Sequence, residues 1–577
     1  MKKQWWKKAV AYQIYPRSFY DSNGDGVGDI RGIIEKLDYI KELGIDVIWV
    51  SPIYQSPNDD NGYDISDYHA IMDEFGTMED FDQLLEETHK RGMKIIMDLV
   101  INHTSDEHEW FVEARSSKDN PYRDYYIWHP GTPDNSDINN WESIFGGSVW
   151  EYDEQSKEYY MHVFSKKQPD LNWENKEVRE KLYEMVNWWL DKGIDGFRVD
   201  AISHIKKKNG FPNMPNPLNK RYVPSFEGHM NQAGIDLFLS EFAERTLHKY
   251  DVMTVGEANG VTIQDADRWV DEENGYFDMI FQFEHLGLWG ANSDGLDIHK
   301  LKEVMTRWQH GLDGRGWNAL FIENHDLARS VSTWGNDADL RRTSAKALAT
   351  FYFFMQGTPF IYQGQEIGMT NVQFDSIEDY DDVGMKNMYQ EEIQNGQSHE
   401  EIMAYIWKNG RDNSRTPMQW TSEPQAGFTT GLPWIGINAN YPDINVEQSL
   451  NDPDSIYHYY KKMIQMRRTT PTLIYGHYEL IAKEHDHVYA YLRSYDNVVY
   501  VIIVNLFDQS TTLDLSEELV LGEMKLSNYK VSDESNAKMI LRPYEARVYK
   551  VAKQKVWHDP NYYELDEKQI ENGGEES

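Results

Sequence analysis

Short runs of β-branched and aromatic residues alternate with amphipathic stretches eight times along this 577-residue chain. In the stretches between the runs, apolar residues recur at helical spacing, as in Val178, Leu182 and Val186. Eight strand–helix units predict an α/β fold, the (β/α)8 TIM barrel, with its chemistry at the C-terminal ends of the strands. A doubly wound parallel sheet is the alternative. The predicted strands are Val10–Tyr15, Val47–Val50, Lys94–Val100, Gly196–Asp200, Val252–Glu257, Asp278–Phe283, Leu320–Glu323 and Pro359–Gln363.

Two long segments interrupt this spacing. Residues 104–173 follow the third predicted strand, are rich in Trp, Tyr, Asn and Asp, and have little helical periodicity, so we assign them to an inserted small domain B. The second segment, Thr370–Trp420, follows the eighth strand and is polar and acidic. Long insertions at this end of a barrel usually shape its active site.

The pattern changes near the end of the chain to alternating strands, as in His487–Arg493 and Val498–Asn505. We therefore predict a separate C-terminal domain, an antiparallel β-sandwich, at 484–558. The residues after it, 559–577, form an acidic tail. The barrel then consists of 1–103 and 174–483.

The composition limits the possible partners of the chain. It has 57 basic and 96 acidic residues, a formal charge of 57 − 96 = −39, which repels nucleic acid and anionic membranes. It has no cysteine, which fits a reducing compartment. No apolar run reaches the ~20 residues of a membrane span, and the first residues lack the apolar stretch of a signal peptide. We expect a cytoplasmic protein, a monomer or homodimer, that binds neither nucleic acid nor membrane.

Two of the predicted strands end in a residue with a carboxyl side chain, one in Asp200 and the other in Glu257. Arg198 lies two residues before Asp200 and shares its face of the strand, which predicts that Asp200 is held ionised. Glu257 has no cation in its own strand, which favours a carboxyl group that keeps its proton and can donate it. One attacking carboxylate and one acid are the requirements of a retaining glycosidase. Two ordinary strand-end salt bridges are the alternative explanation.

Two further strands end in a histidine beside an amide or carboxylate. The third strand is followed by Asn102 and His103, and the seventh by His325 and Asp326. Neutral imidazoles and carboxylates make the directional hydrogen bonds that hold sugar hydroxyl groups. A single histidine at such a position is usually structural, but two such ends beside Asp200 and Glu257 favour a binding site.

Four segments of the chain carry a specific resemblance. DLVINH from Asp98, GFRVDAISH from Gly196, TVGEA from Thr254 and FIENHD from Phe321 resemble the four signature regions of glycoside hydrolase family 13, the α-amylase family. QPDLNW at 168–173, YQIYPRSF at 12–19 and RDNSRTPMQW at 411–420 resemble its oligo-1,6-glucosidase and α-glucosidase branch. The likeness runs from about residue 5 to residue 550.

The resemblance implies a role for each matching residue. It makes Asp200 the nucleophile, Glu257 the acid/base and Asp326 a third carboxylate that grips the sugar hydroxyls and strains the ring. It implies that Tyr63 stacks on the glucose face. It places in the substrate site Asp60, Tyr63, His103, Arg198, His325 and Arg415. The implied substrate is a short oligosaccharide, and no organic cofactor is expected.

A loop near the start of the chain is a candidate metal site, with Gly26 at its sharp turn. Its spacing copies the first half of an EF-hand loop, but Gly32 stands where the bidentate glutamate would be. The resemblance implies a structural Ca²⁺ or Mg²⁺, and a Gly/Asp-rich loop without an ion is the alternative. The candidate ligands are Asp21, Asn23, Asp25, the carbonyl of Val27, and Asp29.

The prediction of which glycosidic linkage is cleaved rests on a single residue. The residue after the predicted nucleophile is Ala201, and in this branch Ala or Thr is typical of α-1,4-preferring enzymes and Val of α-1,6-preferring ones. We therefore expect an exo-acting α-glucosidase that cleaves terminal α-1,4 bonds and some α-1,6 bonds. An oligo-1,6-glucosidase (isomaltase) is an alternative.

Two other readings are disfavoured. The first is a sucrose isomerase or transglucosidase on the same scaffold. The isomerases resemble this chain but carry an RLDRD run after the sixth strand, where this chain has Leu286–Ala291. A non-enzymatic homologue would typically have lost catalytic carboxylates or carry a membrane segment, whereas this chain has all three acids and no such segment.

Overall fold

A computed structural model of the chain describes residues 2–131, 133, 138–289, 296–516, 519–531 and 537–554. Eight parallel strands form one sheet whose order in space follows the order in the chain. A parallel bridge between Ile280 and Asn318 joins the two ends of the sheet and closes the barrel. The strands are β1 (Ala11–Ile14), β2 (Val47–Val50), β3 (Lys94–Val100), β4 (Gly196–Asp200), β5 (Met253–Glu257), β6 (Met279–Phe281), β7 (Ala319–Leu320) and β8 (Thr358–Tyr362). The predicted TIM barrel is confirmed.

The seventh strand is shorter than the predicted Leu320–Glu323. Glu323 turns away from the strand ladder because its carboxylate accepts hydrogen bonds from the backbone N–H of Ser330 at 2.7 Å and from Arg329 at 3.2 Å. The buried carboxylate thereby fixes the loop that follows β7 and carries Asp326.

A helix follows each barrel strand and packs apolar residues against the outside of the sheet. The second helix begins with a reciprocal cap: the Thr77 side chain accepts from the N–H of Asp80, and the Asp80 carboxylate accepts from the N–H of Thr77. The helices are α1 (Leu37–Leu43), α2 (Met78–Lys90), α3 (Lys176–Asp191), α4 (Ile235–Arg245), α5 (Ala266–Trp269), α6 (Ile298–Leu312), α7 (Arg341–Phe353) and α8 (Ile456–Thr469).

The segment 104–173 lies between β3 and α3 and forms a small unit with its own apolar cluster, which includes Trp141, Trp150 and Met161. Its three-stranded antiparallel sheet consists of Trp128–His129, Glu158–Met161 and Trp150–Asp153, in that spatial order. A further strand, Trp141–Glu142, pairs with Val223–Pro224 from the segment that follows β4. Domain B is therefore connected to two neighbouring strand ends. The insertion after β8 carries the helices Val383–Gln394 and His399–Asn409.

The C-terminal part is antiparallel, as predicted. Its first strand, β9 (His477–Ile481), begins before the predicted boundary at 484 and pairs antiparallel with the strand that follows it. The later strands are β10 (Val488–Tyr495), β11 (Val498–Asn505), β12 (Thr511–Asp514), β13 (Leu519–Ser527), β14 (Lys538–Leu541) and β15 (Ala546–Gln554). β9, β10, β11, β15 and β13 form one sheet, and β12 pairs with β14.

The predicted tail 559–577 lies outside the described residues. Within the part of the chain that the structure describes, no helix has both the length and the apolar character needed to cross a membrane.

Candidate active site

The side chain of Arg198 lies at the centre of a buried cluster of three carboxyl groups. Its Nη1 donates to Asp200 Oδ1 at 2.6 Å and to Asp98 Oδ1 at 2.8 Å. Its Nη2 donates to Glu257 Oε2 at 2.7 Å. β3, β4 and β5 are neighbours in the barrel, which brings side chains from three separate segments of the chain onto one guanidinium.

The sharing of one cation changes the prediction for Asp200. Burial raises the pKa of Asp200 well above its usual value, Arg198 opposes the rise, and the negative charges of Glu257 and Asp98 add to it. Burial likewise raises the pKa of Asp98 against the pull of Arg198. Arg198 therefore contacts Asp200, as the shared face of the strand predicts, but it divides its charge among three carboxyl groups.

Glu257 has no cation in its own strand, as stated from the sequence, but Arg198 reaches it from the neighbouring strand. Besides Arg198, Oε2 of Glu257 accepts from the backbone N–H of Ala201 at 2.9 Å. Ala201 has the left-handed conformation, φ 44° and ψ 29°, which turns the chain sharply after β4 and points its N–H at the carboxylate. Two donors thus hold one oxygen of Glu257.

The third predicted carboxylate, Asp326, lies among cationic groups. Its Oδ1 accepts from Arg415 Nη2 at 2.9 Å and from Arg411 Nη1 at 3.3 Å, and its Oδ2 lies 3.1 Å from His325 Nε2. Burial opposes ionisation, but His325, Arg411 and Arg415 outweigh it and hold the pKa of Asp326 well below its usual value. Asp326 is therefore a permanent anion at neutral pH. Its side chain is 37% exposed, against 11% for Asp200, so it faces the open side of the site.

Arg411 also closes one side of the site. Its guanidinium binds Asp382 at 2.8 Å and Asp60 Oδ1 at 3.2 Å, in addition to Asp326. The other oxygen of Asp60 accepts from Gln168 Nε2 at 3.2 Å. This chain of buried ion pairs joins the loop after β2, the loop after β7 and the insertion after β8.

The two predicted histidines are buried and neutral. Burial lowers the pKa of His103 to about 4 and that of His325 to about 3. The His325 ring stacks on the ring of Tyr63, with 5.0 Å between ring centroids and 4° between planes. The Tyr63 hydroxyl donates to Asp98 Oδ2 at 2.8 Å. Within the described residues the ring of Tyr63 is thus packed on one face by His325.

The structure brings together all nine residues predicted for catalysis and substrate binding. Sequence reasoning missed Asp98, Gln168 and Arg411 as members of the site, although each lies in a motif that it had singled out. Asp98 lies two residues before Val100 on β3, at the level of Arg198, its neighbour in the ladder. Arg411 precedes Arg415 by four residues, and such a pair in a helical turn lies on one face. The spacing of Arg411 and Arg415 can be read from the sequence, whereas the level of Asp98 depends on the register between two strands.

The predicted metal loop curls around its own polar side chains. Asp21 Oδ1 accepts from the N–H groups of Asn23 and Gly24 at 3.0 and 2.8 Å, and Asp29 Oδ1 accepts from Gly32 N–H at 2.7 Å. Among the described residues, no group of three or more His, Cys, Asp or Glu side chains is placed to hold a metal ion. An ion here would need the Asn23 amide and a carbonyl oxygen, which are ligands that Ca²⁺ and Mg²⁺ accept.

The segment 286–291 is the one in which sucrose isomerases differ from this chain. Its first part, Leu286–Trp289, forms a short 3-10 helix, and Gly290 and Ala291 lie outside the described residues.

The site thus contains three carboxyl groups, Asp98, Asp200 and Glu257, on neighbouring TIM-barrel strands, and a separate anion, Asp326, beside two arginines. This is the active site of a glycoside hydrolase. The family model of the alpha amylase catalytic domain matches residues 13–476, and that of the maltogenic amylase C-terminal domain matches residues 478–548. The chain belongs to the α-amylase family, glycoside hydrolase family 13.

Two curated relatives and one solved structure align with 95–96% of this chain. Probable oligo-1,6-glucosidase 3 of Bacillus subtilis (strain 168) is 58% identical, over 95% of this chain and 100% of its own. Oligo-1,6-glucosidase of Parageobacillus thermoglucosidasius is 54% identical, over 96% and 100%. The crystal structure of trehalose-6-phosphate hydrolase from Bacillus licheniformis is similar with a TM-score of 0.88 and 47% identity, over 96% of this chain and 100% of that one.

Proposed function

We propose that this glycoside hydrolase is a retaining, exo-acting oligo-1,6-glucosidase that releases glucose from the non-reducing end of short oligosaccharides. The observation that carries the proposal is the contact of one guanidinium with both Asp200 and Glu257. Because Arg198 holds both groups, the two carboxyls lie on one side of the same cation. This arrangement supports the ~5–5.5 Å separation of a retaining enzyme over the wider spacing of an inverting one.

The contacts assign a separate task to each oxygen. Arg198 engages Oδ1 of Asp200, which leaves Oδ2 as the oxygen that attacks the anomeric carbon and forms the glucosyl ester. Arg198 and the N–H of Ala201 engage Oε2 of Glu257, so the proton given to the departing glycosidic oxygen lies on Oε1. Glu257 then takes a proton from water, which attacks the ester and releases α-glucose.

The excess negative charge of the cluster favours this division of roles. Three carboxyl groups share one guanidinium, so one of them holds a proton in the resting site. Substrate binding displaces water and places the developing positive charge of the sugar ring beside Asp200 and Asp326. That charge favours the ionised form of Asp200, while the proton stays on Glu257 for the leaving group.

Exo action is supported by the ion pairs of Arg411. The guanidinium links Asp60, Asp382 and Asp326 across one side of the site. A glucose unit bound beside Asp200 would meet this barrier beyond its non-reducing end. A chain that continued past that sugar would have to break buried charge pairs, which costs several kcal/mol.

The preference for the α-1,6 bond rests on the relatives rather than on the site. Two proteins at 58% and 54% identity carry the name oligo-1,6-glucosidase, which supports the isomaltase alternative over the α-1,4 preference expected from Ala201. A single side chain of this size discriminates at most ~10–200-fold. Cleavage of α-1,4 bonds is therefore proposed as a secondary activity.

The rates on a panel of substrates test the function. We expect the highest kcat/KM on isomaltose and other short α-1,6 oligosaccharides, lower values on maltose, and glucose as the first product in each case. Trehalose, trehalose 6-phosphate, sucrose and starch should react much more slowly. A clear preference for trehalose 6-phosphate, or internal cleavage of starch, would contradict the proposal. Asp200→Asn serves as the blank for contaminating activity.

We also propose that the loop at 21–29 binds one structural Ca²⁺ or Mg²⁺ through Asp21, Asn23, Asp25, Val27 and Asp29. The oxygen-rich donor set supports it. A chelator should lower the Tm, and adding either ion should restore it, whereas Asp25→Ala should be insensitive to chelator. Elemental analysis of dialysed protein gives the occupancy, and an ion-free protein with an unchanged Tm would contradict the proposal.

A further inference from the structure

A buried lysine lies just beyond the active site and joins three segments of the chain. Lys207, in the segment after β4, is 7% exposed. Its Nζ lies 2.6 Å from Asp170 Oδ2 and donates to Asn102 Oδ1 at 2.9 Å and to the carbonyl of His204 at 2.7 Å. An ammonium group has three donors and no acceptor, so all of its hydrogen-bonding capacity is used.

The contact with Asn102 fixes the orientation of an amide. Because Oδ1 of Asn102 accepts from Lys207, its Nδ2 must point the other way, where it lies 3.1 Å from His103 Nδ1 and 3.4 Å from Asp170 Oδ2. A flipped amide would place an NH₂ group against the ammonium. Nδ2 can only donate, so Nδ1 of His103 accepts and carries no proton.

The other ring nitrogen of His103 agrees with this tautomer. Nε2 lies 3.0 Å from the carbonyl oxygen of Tyr63, which can only accept. A proton on Nε2 makes this hydrogen bond, whereas a bare Nε2 would face the carbonyl lone pairs. Gln168 Nε2 also lies 3.3 Å from this nitrogen, but its two N–H groups have acceptors in Asp60 and the Tyr63 carbonyl. The Tyr63 carbonyl also accepts from Gln168, which in turn holds Asp60. The state of His103 is thus coupled to the loop that carries Asp60 and Tyr63.

We propose that Lys207 is a positioning residue of the active site, which acts through Asn102 to keep His103 neutral with its proton on Nε2. The proposal rests on the placement of His103 in the substrate site. Protonation of His103 would put an N–H on Nδ1 opposite the Asn102 NH₂ group, and the amide could turn to accept it only by breaking its bond to Lys207. The lysine therefore resists charging of the imidazole.

The other charged and titratable groups around His103 are few. Asp170 favours the charged imidazole, whereas burial and Lys207 oppose it. His204 is buried and neutral, with a pKa lowered by burial to about 3, and its Nδ1 is 2.9 Å from that of His229. Asp60 is linked to His103 through Gln168. Lys207 is thus a neighbouring cation whose removal should favour the charged form of His103.

The pH profile of kcat/KM tests the proposal. Lys207→Met frees the Asn102 amide, so the acid limb of the profile should move up by about one pH unit from the His103 pKa of about 4. The loss relative to wild type should then be about fivefold larger at pH 4 than at pH 8. Lys208→Met, at the exposed neighbour, should leave the profile unchanged. A purely structural lysine would give an equal loss at both pH values, and that result would overturn the proposal.

Asn102→Asp gives a second route, which keeps an acceptor for Lys207 but presents a carboxylate oxygen to His103 Nδ1. It should move the acid limb in the same direction. The ¹⁵N shifts of the His103 ring, assigned by comparison with His103→Gln, report the tautomer without turnover. They separate this proposal from the proposed function. We expect Nε2–H with a bare Nδ1 in wild type, and in both variants a proton gained on Nδ1 at a higher pH than in wild type. A wild-type proton on Nδ1 alone would overturn the proposal.

Discussion

Arg198 on β4 donates a hydrogen bond of 2.7 Å to Glu257 on β5, although neither residue could be paired with the other from the sequence. The same guanidinium holds Asp200 at 2.6 Å. The two groups proposed to attack and to protonate the substrate are therefore placed by a single side chain. A change at Arg198 should disturb both.

Arg198→Lys tests this shared role. A lysine keeps the charge but cannot present a planar fork to two carboxylates, so we expect kcat to fall about a thousandfold or more, with the fold retained. Arg245→Lys, at an exposed arginine that forks onto Glu180, should stay near wild type. Steady-state kinetics measure both. A loss of less than tenfold for Arg198→Lys would be incompatible with the proposed geometry.

Glu257→Gln should depend on the leaving group. Isomaltose needs a proton on the departing oxygen, so its kcat should fall about 10²–10⁴-fold. 4-Nitrophenyl α-glucoside has a leaving group that needs little protonation, and formation of its glucosyl ester should be affected far less. Asp200→Asn should lose turnover on both. Equal losses on the two substrates for Glu257→Gln would argue against its role as the acid.

Arg411→Ala should open the side of the site that its ion pairs close. The change leaves Asp60 and Asp382 without their shared cation, so kcat/KM on isomaltose should fall by at least a hundredfold. Arg342→Ala removes an exposed arginine that pairs with Asp452 and provides the matched control. Unchanged kinetics of Arg411→Ala would remove the support for exo action.

The free energy of unfolding should depend on pH through Asp64. Its carboxyl group is fully buried and accepts hydrogen bonds from the backbone N–H groups of Asp59 and Asp60. Burial raises the pKa of Asp64 to about 7, well above its usual value. The folded state then binds a proton that the unfolded state has released, so this contribution is fully present below about pH 4 and is lost as the pH rises to 7.

Asp64→Asn removes that titration. The free energy of unfolding of the variant, relative to wild type, should therefore increase by an amount on the order of a few kcal/mol from pH 5 to pH 8. Thermal denaturation shows this change as an increase in the Tm of the variant relative to that of wild type. Asp443→Asn, at an exposed aspartate, is the control. A difference that stays constant, or that decreases with pH, would place the pKa of Asp64 near its ordinary value.

The strand ends were predictable because their signals are local. Alternation of β-branched runs with helical spacing located β1 to β8, and the strand period placed Arg198 and Asp200 on one face. The contact of Arg198 with Glu257 and with Asp98 depends on the register between neighbouring strands, which no single segment contains. The cation that contacts Glu257 lies on the neighbouring strand, so the residues of its own strand do not indicate it.

Arg411 illustrates a second limit. Its three carboxylate partners, Asp60, Asp326 and Asp382, come from three loops, and nothing in the spacing of those loops indicates that they meet. The loops follow different strands, and only closure of the barrel brings them to one rim. The motif that contains Arg411 was identified, but its geometry required the folded chain.

The anomeric form of the first glucose released tests the central claim most directly, because it reports whether Asp200 and Glu257 act by double displacement. ¹H NMR within the first minutes of isomaltose hydrolysis distinguishes the two anomers before they equilibrate. The account predicts α-glucose first, with β-glucose appearing only through mutarotation. β-Glucose as the initial product would mean a single displacement by water and would contradict the attacking role of Asp200.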